Sequence, residues 1–170
     1  MNMTLTRPPL ALGAGAGLAR NELFQIAYST NDMEKARALL GEKYGLKEFR
    51  RLEGQMPEGG SVQMDIAWSA GILYELICAK GAGGEVFQTG LPHDSFAMRL
   101  HHLGYFVPDA ASWDAIRAEI ARDCRRIVRD SNNPGFLKAI IVEAPELGHY
   151  LEYILCEPGG LAFFETAPVN

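Results

Sequence analysis

The sequence has little cysteine, no long apolar run and no cluster of basic residues. Its three cysteines, Cys78, Cys124 and Cys156, are odd in number and far apart, so they match neither a disulfide framework nor a CxxC metal or redox motif. No window of about 18 continuous apolar residues is present, so we expect no membrane span. Lysine and arginine number 16 against 21 acidic residues, without a basic run beside aromatic residues, so we expect no nucleic-acid partner. Reduced, buried thiols predict a cytoplasmic protein.

What the chain does contain is an ordinary globular composition over 170 residues, of which 48% are hydrophobic and 22% are charged. This length suffices for one compact domain or for two small modules that share a core. Residues 1–21 stand apart, because Pro8, Pro9 and the glycine-rich run 13–17 interrupt any regular periodicity. The glycines break the apolar stretch that a secretion signal needs, and the prolines stand where a dinucleotide-binding loop needs a strand. We therefore predict a flexible N-terminal arm over residues 1–21.

From residue 22 onward the pattern indicates βαβββ, a linker, and βαβββ again. Asn31 or Asp32 can cap the first helix and Gly45 ends it, while Asp109 caps the second helix. The predicted units are a first module at 22–80, a linker at 81–99, a second module at 100–157 and a C-terminal tail at 158–170. The predicted strands are Leu23–Ser29, Leu46–Leu52, Ser61–Ser69 and Ile72–Ala79, then Leu100–Val107, Arg125–Arg129, Phe136–Val142 and His149–Cys156.

The two modules align at a single shift of 77 residues. This shift superimposes ligand-type side chains in two pairs, Gln25 with His102 and Glu75 with Glu152. Other coinciding positions are Tyr28 with Tyr105 and Asp32 with Asp109. One such pair of ligand-type residues would be ordinary coincidence, but two pairs at one shift, amid matching apolar positions, indicate an internal duplication.

Alternation of side chains along a strand predicts where the four residues point. Gln25 should face away from Phe24, and His102 away from His101, because successive side chains of a strand point to opposite faces of the sheet. If each module curls its sheet and the two join edge to edge, the polar face becomes a concave cup. The predicted fold is α+β, with paired βαβββ modules that form a curved eight-stranded cup and helices on its outer face.

In such a cup the four polar residues converge on one ion. An amide, an imidazole and two carboxylates form a mixed nitrogen and oxygen set that suits Zn, Mn, Ni, Co or Fe rather than Ca. Each residue taken alone has an ordinary explanation, since a strand glutamine or histidine is usually a hydrogen-bonding residue. Glu75 and Glu152 differ, because each lies in an apolar run where an unpaired carboxylate is costly to bury.

The chain resembles the vicinal oxygen chelate superfamily, which includes glyoxalase I, methylmalonyl-CoA epimerase, extradiol dioxygenases and the fosfomycin- and bleomycin-resistance proteins. The resemblance covers about residues 22–156, and its carriers are FQIAY at 24–28 with Asp32, LYELI at 73–77, HHLGYFV at 101–107 and GHYLEYI at 148–154. The superfamily's ligand positions match Gln25, Glu75, His102 and Glu152, a set similar to that of some glyoxalase I enzymes. The set departs from that of the epimerases in its first two places. It departs further from the extradiol dioxygenases and fosfomycin-resistance proteins, which use two histidines and one glutamate.

The resemblance implies a metal-dependent lyase or isomerase of the glyoxalase or epimerase type. Such an enzyme transfers a proton alpha to a carbonyl, and a divalent cation stabilises the enediolate. On the matched positions, Glu152 would be the base and Glu75 its partner on the opposite face of a small-molecule carbonyl substrate. The implied cofactor is Zn, Ni, Mn or Co, with Fe favoured less. Members of the superfamily often dimerise, which predicts a homodimer.

Residues on the strand faces beside these ligands are candidates for a substrate pocket. The candidates are Tyr150, Phe106, Gly104 and Trp68. Phe163 and Phe164 of the tail would either fold over the mouth of the cup or lie buried at a dimer contact. Two alternative functions stay open: a metal-free small-molecule binding protein of the bleomycin-resistance type, and after it a ring-cleaving dioxygenase.

Overall fold

Two βαβββ modules join edge to edge in one curled sheet. A computed structural model describes residues 9–170. The strands are β1 (Glu22–Thr30), β2 (Arg50–Gln55), β3 (Ser61–Ser69), β4 (Ile72–Lys80), β5 (Met98–Val107), β6 (Ile127–Asn133), β7 (Leu137–Ala144) and β8 (His149–Cys156). The helices are α1 (Met33–Tyr44), α2 (Glu85–Gln88), α3 (Ala110–Arg122) and α4 (Pro158–Glu165). The strand order β2-β3-β4-β1-β5-β8-β7-β6 confirms the predicted α+β cup, and the modules meet where β1 and β5 pair antiparallel.

Both long helices begin at the aspartates that the repeat aligns. Asp32 accepts a hydrogen bond from the amide of Lys35 at 3.1 Å, and Asp109 accepts one from the amide of Ser112 at 2.7 Å. Each aspartate thereby satisfies one of the amide groups that a helix leaves free in its first turn. At the other end of α1, Gly45 has a φ of 80°, which glycine adopts without steric cost.

The long helices α1 and α3 cover the convex face of the sheet, as predicted for the outer layer. The residues buried in this layer are Met33, Ala36, Leu40, Leu76 and Cys78 at α1, and Trp113, Ile116, Ile120, Leu151 and Tyr153 at α3. The short helices α2 and α4 lie on the concave side instead. Phe87 of α2 packs with Ala27 and Ile141, and Phe164 of α4 packs with Phe24 and Ile154.

Two β-bulges interrupt the alternation of side chains at the seam between the modules. One extra residue, Phe24, stands in β1 opposite Tyr105 and Gly104, and one extra residue, His101, stands in β5. These positions are 77 residues apart, so the bulge is part of the repeat. A bulge turns two successive side chains toward the same face. The prediction that Phe24 and His101 face away from the cup is therefore wrong, because strict alternation fails at these two residues.

Several segments outside the strands make contacts that the sequence does not indicate. Strand β2 begins at Arg50 rather than at Leu46, because the Leu46 amide donates to the Leu40 carbonyl at 3.1 Å and its side chain packs against α1. In the N-terminal arm, the Leu18 carbonyl accepts a hydrogen bond from the Tyr153 hydroxyl at 3.0 Å, and Ala14 and Leu18 pack against the core of the second module. Residues 1–8 of that arm lie outside the described residues. Over residues 9–170, none of the helices has the length and apolarity to cross a membrane.

Candidate metal centre

Two rows of residues cross the concave face at the seam between the modules. In the first row Ala27 lies between Glu75 and His102, and in the second row Gly104 lies between Gln25 and Glu152. Ala27 and Gly104 are equivalent in the 77-residue repeat. Each row therefore consists of one small residue between two polar ones, and each module contributes two of the four polar residues.

The four polar side chains converge into one cluster. His102 Nε2 lies 2.9 Å from Glu152 Oε2 and 3.4 Å from Glu75 Oε2. Gln25 Nε2 donates a hydrogen bond to Glu75 Oε2 at 2.6 Å. One ligand atom each from Glu75, His102 and Glu152 can be chosen so that all lie within 4.8 Å of one another. The structure thus brings together the four residues that the sequence singles out, and it does so within one chain.

Gly104 leaves the room that the side chain of Gln25 occupies. A Cβ atom at position 104 would lie 2.7 Å from both the Cβ and the Oε1 of Gln25. That separation is well inside the ~3.5–4.0 Å at which nonbonded carbon atoms attract each other best. Without a side chain at 104, Gln25 extends across the neighbouring strand and reaches Glu75.

The cluster contains many buried acceptors and few donors. Gln25 Oε1 is buried and has no hydrogen-bond partner among the described residues, and His102 Nε2 is also buried. Two carboxylates face these atoms at close range. Buried polar atoms without partners and buried carboxylates are costly, and a divalent cation would satisfy all of them at once. Oxygen atoms with one imidazole nitrogen fit Zn, Mn, Ni or Co better than a soft, thiolate-preferring ion.

Burial and charge shift the titration of the cluster. Burial raises the pKa of Glu75, and its effect exceeds the opposing effect of the nearby His102. Burial alone would lower the pKa of His102, but the carboxylates of Glu152 and Glu75 outweigh it and raise that pKa to about 10. Without a cation His102 is therefore protonated at neutral pH, and its proton supplies the positive charge that the carboxylates need.

His101, which the bulge turns toward the cup, contacts the cluster directly. Its Nδ1 lies 2.8 Å from Nδ1 of His102, and its Nε2 lies 3.1 Å from the carbonyl oxygen of Val86. Its ring packs between those of Phe87 and Tyr150, with centroid distances of 5.0 and 4.8 Å. Burial, together with the charge of His102, lowers the pKa of His101 to about 3, so its imidazole is neutral. The two adjacent histidines are the only sign of this contact in the sequence.

A cavity of about 1240 Å³ adjoins the cluster, and Gln25, Glu75 and Glu152 are part of its lining. Aromatic rings line it as well, contributed by α2, the turn before β7, β8 and α4; these are Phe87, Phe136, Tyr150, Phe163 and Phe164. The lining contains seven carboxylates but only two guanidinium groups, those of Arg126 and Arg129. A ligand with an apolar body and little negative charge fits such a lining.

The candidate pocket residues occupy different places. Tyr150 lines the cavity, whereas Phe106 and Trp68 do not belong to its lining. Phe106 packs edge-on against Phe24 at a centroid distance of 6.3 Å, and Trp68 Nε1 donates to the Phe164 carbonyl at 2.8 Å. These two residues support the C-terminal helix, which in turn forms one wall of the cavity. The sequence leaves open whether the tail folds over the mouth of the cup or lies at a dimer contact. In the structure Phe163 and Phe164 of the tail line the cavity of the cup.

Paired βαβββ modules in one curled eight-stranded sheet are the architecture of the vicinal oxygen chelate superfamily. The chain has this fold, as the sequence resemblance predicts. No protein-family model matches the chain, and no curated protein matches it either. The likeness to known proteins is therefore one of fold.

The solved structures that match include several methylmalonyl-CoA epimerases. The epimerase from Mycobacterium tuberculosis matches with a TM-score of 0.56 and 14% identity, over 88% of this chain and 99% of that one. A variant of the Streptomyces coelicolor epimerase, in complex with 2-nitronate-propionyl-CoA, has a TM-score of 0.54 and 15% identity, over 79% and 96%. A third epimerase, in complex with methylmalonyl-CoA and ammonium, has a TM-score of 0.54 and 15% identity, over 79% and 94%. At these identities the likeness concerns the fold.

Proposed function

We propose that the protein is an isomerase or lyase of the epimerase or glyoxalase type, which transfers a proton at the carbon beside a carbonyl and uses a divalent cation. The observation that carries the proposal is the cluster itself, in which two carboxylates, a buried imidazole nitrogen and a buried amide oxygen without a hydrogen-bond partner meet beside a cavity. Epimerases with the same fold support the isomerase branch. The glutamine and glutamate of the first module support the glyoxalase branch.

Four side chains of this chain would hold the cation. Glu75, His102 and Glu152 offer ligand atoms that already lie close together, and Gln25 offers Oε1, which has no partner. A divalent cation bound there would act as a Lewis acid and stabilise the negative charge that develops on the carbonyl oxygen of the substrate. The same four residues would orient the carbonyl group, because they converge at the edge of the cavity.

Glu152 is the better placed of the two carboxylates to remove the proton. It lines the cavity, and its side chain is 13% exposed, compared with 8% for Glu75. Glu75 is enclosed more fully, which limits its access to a substrate. Glu152 would therefore take the proton at Oε, and Glu75 would return one. A general base of this kind typically contributes a factor of ~10²–10⁴ to the rate.

The proposed substrate is a small carbonyl compound with an apolar portion. The aromatic rings of the cavity would contact that portion. The lining supplies only two guanidinium groups, and Arg126 is already paired with Glu143 at 3.0 Å. A polyphosphate group would find few cations here, so the substrates to examine first are 2-oxoaldehyde adducts, and after them epimerisable thioesters.

Metal analysis of the purified protein tests the cofactor. Protein prepared without a chelator or affinity tag is expected to carry about one Zn, Ni, Mn or Co per chain, and Gln25→Ala and His102→Ala are expected to lose it. Glu143→Gln is the matched control, because Glu143 lines the same cavity and is paired with Arg126 outside the cluster. This control should retain the metal.

Proton exchange in D2O tests the chemistry before the natural substrate is known. Candidate carbonyl compounds are incubated with the metal-loaded protein, and deuterium incorporation beside the carbonyl is followed by NMR. Glu152→Gln should keep an oxygen ligand but lower the exchange rate by ~10²–10⁴-fold. Full exchange in Glu152→Gln would rule out Glu152 as the base.

The same experiments separate the alternative functions. A protein that binds no ion, even after incubation with each one, would contradict the proposed enzyme and favour a metal-free binding protein, for which the aromatic walls are suited. Iron with oxygen consumption, lost in His102→Ala but kept in Gln25→Ala, would favour a ring-cleaving dioxygenase. The homodimer and the cytoplasmic location remain predictions, which sedimentation and cell fractionation can test.

A further inference from the structure

We propose that His101 is a positioning residue, which fixes the ring orientation and tautomer of His102 so that Nε2 of His102 presents its lone pair to the cation. This inference rests on the proposed role of His102 as a ligand. It depends on the direction of two hydrogen bonds, on the packing of one ring and on the bulge that brings the two histidines together.

The carbonyl group of Val86 determines which atoms donate in the hydrogen bonds that link Val86, His101 and His102. The carbonyl oxygen of Val86 can only accept, so Nε2 of His101, 3.1 Å away, carries a hydrogen. In a neutral imidazole the other nitrogen then has a lone pair. Nδ1 of His101 therefore accepts, and the hydrogen in the 2.8 Å contact between the two Nδ1 atoms belongs to His102. Neutral His102 is left with its lone pair on Nε2, the atom that lies between Glu75 and Glu152.

The packing holds His101 in the orientation that this contact needs. Its ring lies between Phe87 and Tyr150, at interplanar angles of 37° and 33°. His101 is 5% exposed and His102 is 1% exposed, so water does not compete for the hydrogen bond between them. A histidine ligand whose second nitrogen is hydrogen-bonded is fixed in one tautomer and one orientation.

The repeat offers an internal comparison. The residue equivalent to His101 in the first module is Phe24, which occupies the same bulge position before Gln25. Gln25 binds through an amide and has no tautomer to fix, so a phenyl ring suffices beside it. A histidine stands at the bulge only where the ligand that follows is itself a histidine. The comparison also indicates that a phenyl ring is compatible with this bulge.

Two substitutions separate the hydrogen bond from the packing. His101→Phe keeps an aromatic ring between Phe87 and Tyr150 but removes the acceptor. His101→Asn removes the ring but places Oδ1 near the position of Nδ1, where it can accept from His102. We expect zinc to bind roughly 10–100-fold more weakly to His101→Phe, and His101→Asn to recover most of the affinity. The affinities are measured by competition with a chromophoric chelator, with His102→Ala as the reference for loss of the ligand.

NMR provides a second readout that does not depend on activity. In zinc-loaded, 15N-labelled protein, the Nδ1 hydrogen of His102 should be slow to exchange and shifted downfield in the wild type and in His101→Asn. It should lose both properties in His101→Phe. His101→Leu, which also lacks an acceptor, replaces the phenyl variant if that variant does not fold.

The outcomes distinguish this inference from the proposed function. Unchanged zinc affinity in His102→Ala would overturn the proposed metal centre itself. If His102→Ala binds weakly but His101→Phe binds as the wild type does, the positioning role alone is overturned. Equal losses in His101→Phe and His101→Asn would assign His101 to packing and likewise overturn the role.

Discussion

Gly104→Ala is expected both to destabilise the seam between the modules and to lower the affinity of the metal centre for zinc. The added Cβ would meet the Cβ of Gln25 at 2.7 Å. Rotation of the Gln25 amide cannot relieve this contact, because its Cβ is attached directly to the backbone of β1. The two strands must separate locally or one must shift its register, and either movement displaces Gln25 from Glu75.

The magnitude follows from the cost of overpacking. An extra methyl group forced into a packed site typically costs ~1–3 kcal/mol. At ~2–4 °C per kcal/mol for a chain of this size, the midpoint of thermal unfolding should fall by ~2–12 °C. Zinc affinity should fall as well, because one of the four ligands is displaced.

The assay compares thermal unfolding of the metal-free proteins by circular dichroism, followed by zinc competition. Gly54→Ala is the matched control, because Gly54 also lies in a strand that lines the cavity but a Cβ there would meet nothing within 4 Å. This control should keep its zinc affinity. Its free energy of unfolding should rise by ~0.5–1 kcal/mol, since alanine is less destabilising than glycine within a strand. If Gly104→Ala unfolds and binds zinc as the wild type does, the close approach of Gln25 to Gly104 is not a constraint and this reasoning fails.

Four further predictions concern proton release, the pH dependence of stability, the C-terminal wall and the charge of the cavity. The pKa of about 10 means that His102 must release its proton when zinc binds near pH 7, so calorimetry in buffers of different ionisation enthalpy should detect about one proton released per zinc. Because that pKa lies above the ordinary 6.5, protonation of His102 stabilises the metal-free fold fully below pH 6.5, and this stabilisation should be lost as the pH rises through 10. Urea titrations at a series of pH values measure the free energy of unfolding that checks this. Phe164→Ala should lower the free energy of unfolding by ~3–5 kcal/mol, because its ring is 8% exposed against Phe24, whereas Leu161→Ala on the same helix, at 41% exposed, should change it little. If a CoA thioester is turned over, its KM should fall as salt is added, because seven carboxylates line the cavity and screening reduces their repulsion of the phosphates; a KM that rises with salt would contradict the charge argument.

The sequence predicts the fold and the cluster because both depend on the repeat. The shift of 77 residues aligns Gln25 with His102 and Glu75 with Glu152, and the structure places all four side chains together. What the sequence does not reveal is the bulge. The prediction of side-chain direction assumes strict alternation along a strand that pairs residue by residue with its neighbour. At His101 this assumption fails, because β5 has one extra residue there.

The other differences arise where tertiary contacts decide the structure. Phe87 stands alone in a glycine-rich linker, and no periodicity marks it as part of the cavity wall. The pattern of residues 46–52 predicts a strand that begins at Leu46, yet Leu46 donates its amide to the end of α1 and packs its side chain there. Phe106 and Trp68 lie on the same strand faces as residues of the cup, but they pack against the C-terminal helix and so are not available to a ligand.

The division of the cluster between the modules has a consequence for how the halves hold together. Gln25 and Glu75 belong to the first module, and His102 and Glu152 belong to the second. Neither half presents more than two of the four side chains, so half a chain would make a poor chelator. A cation held by all four binds only the joined form, and by mass action it opposes separation of the halves. The proposed cofactor would then link the two modules across the seam, and its loss would weaken their association along the pairing of β1 with β5.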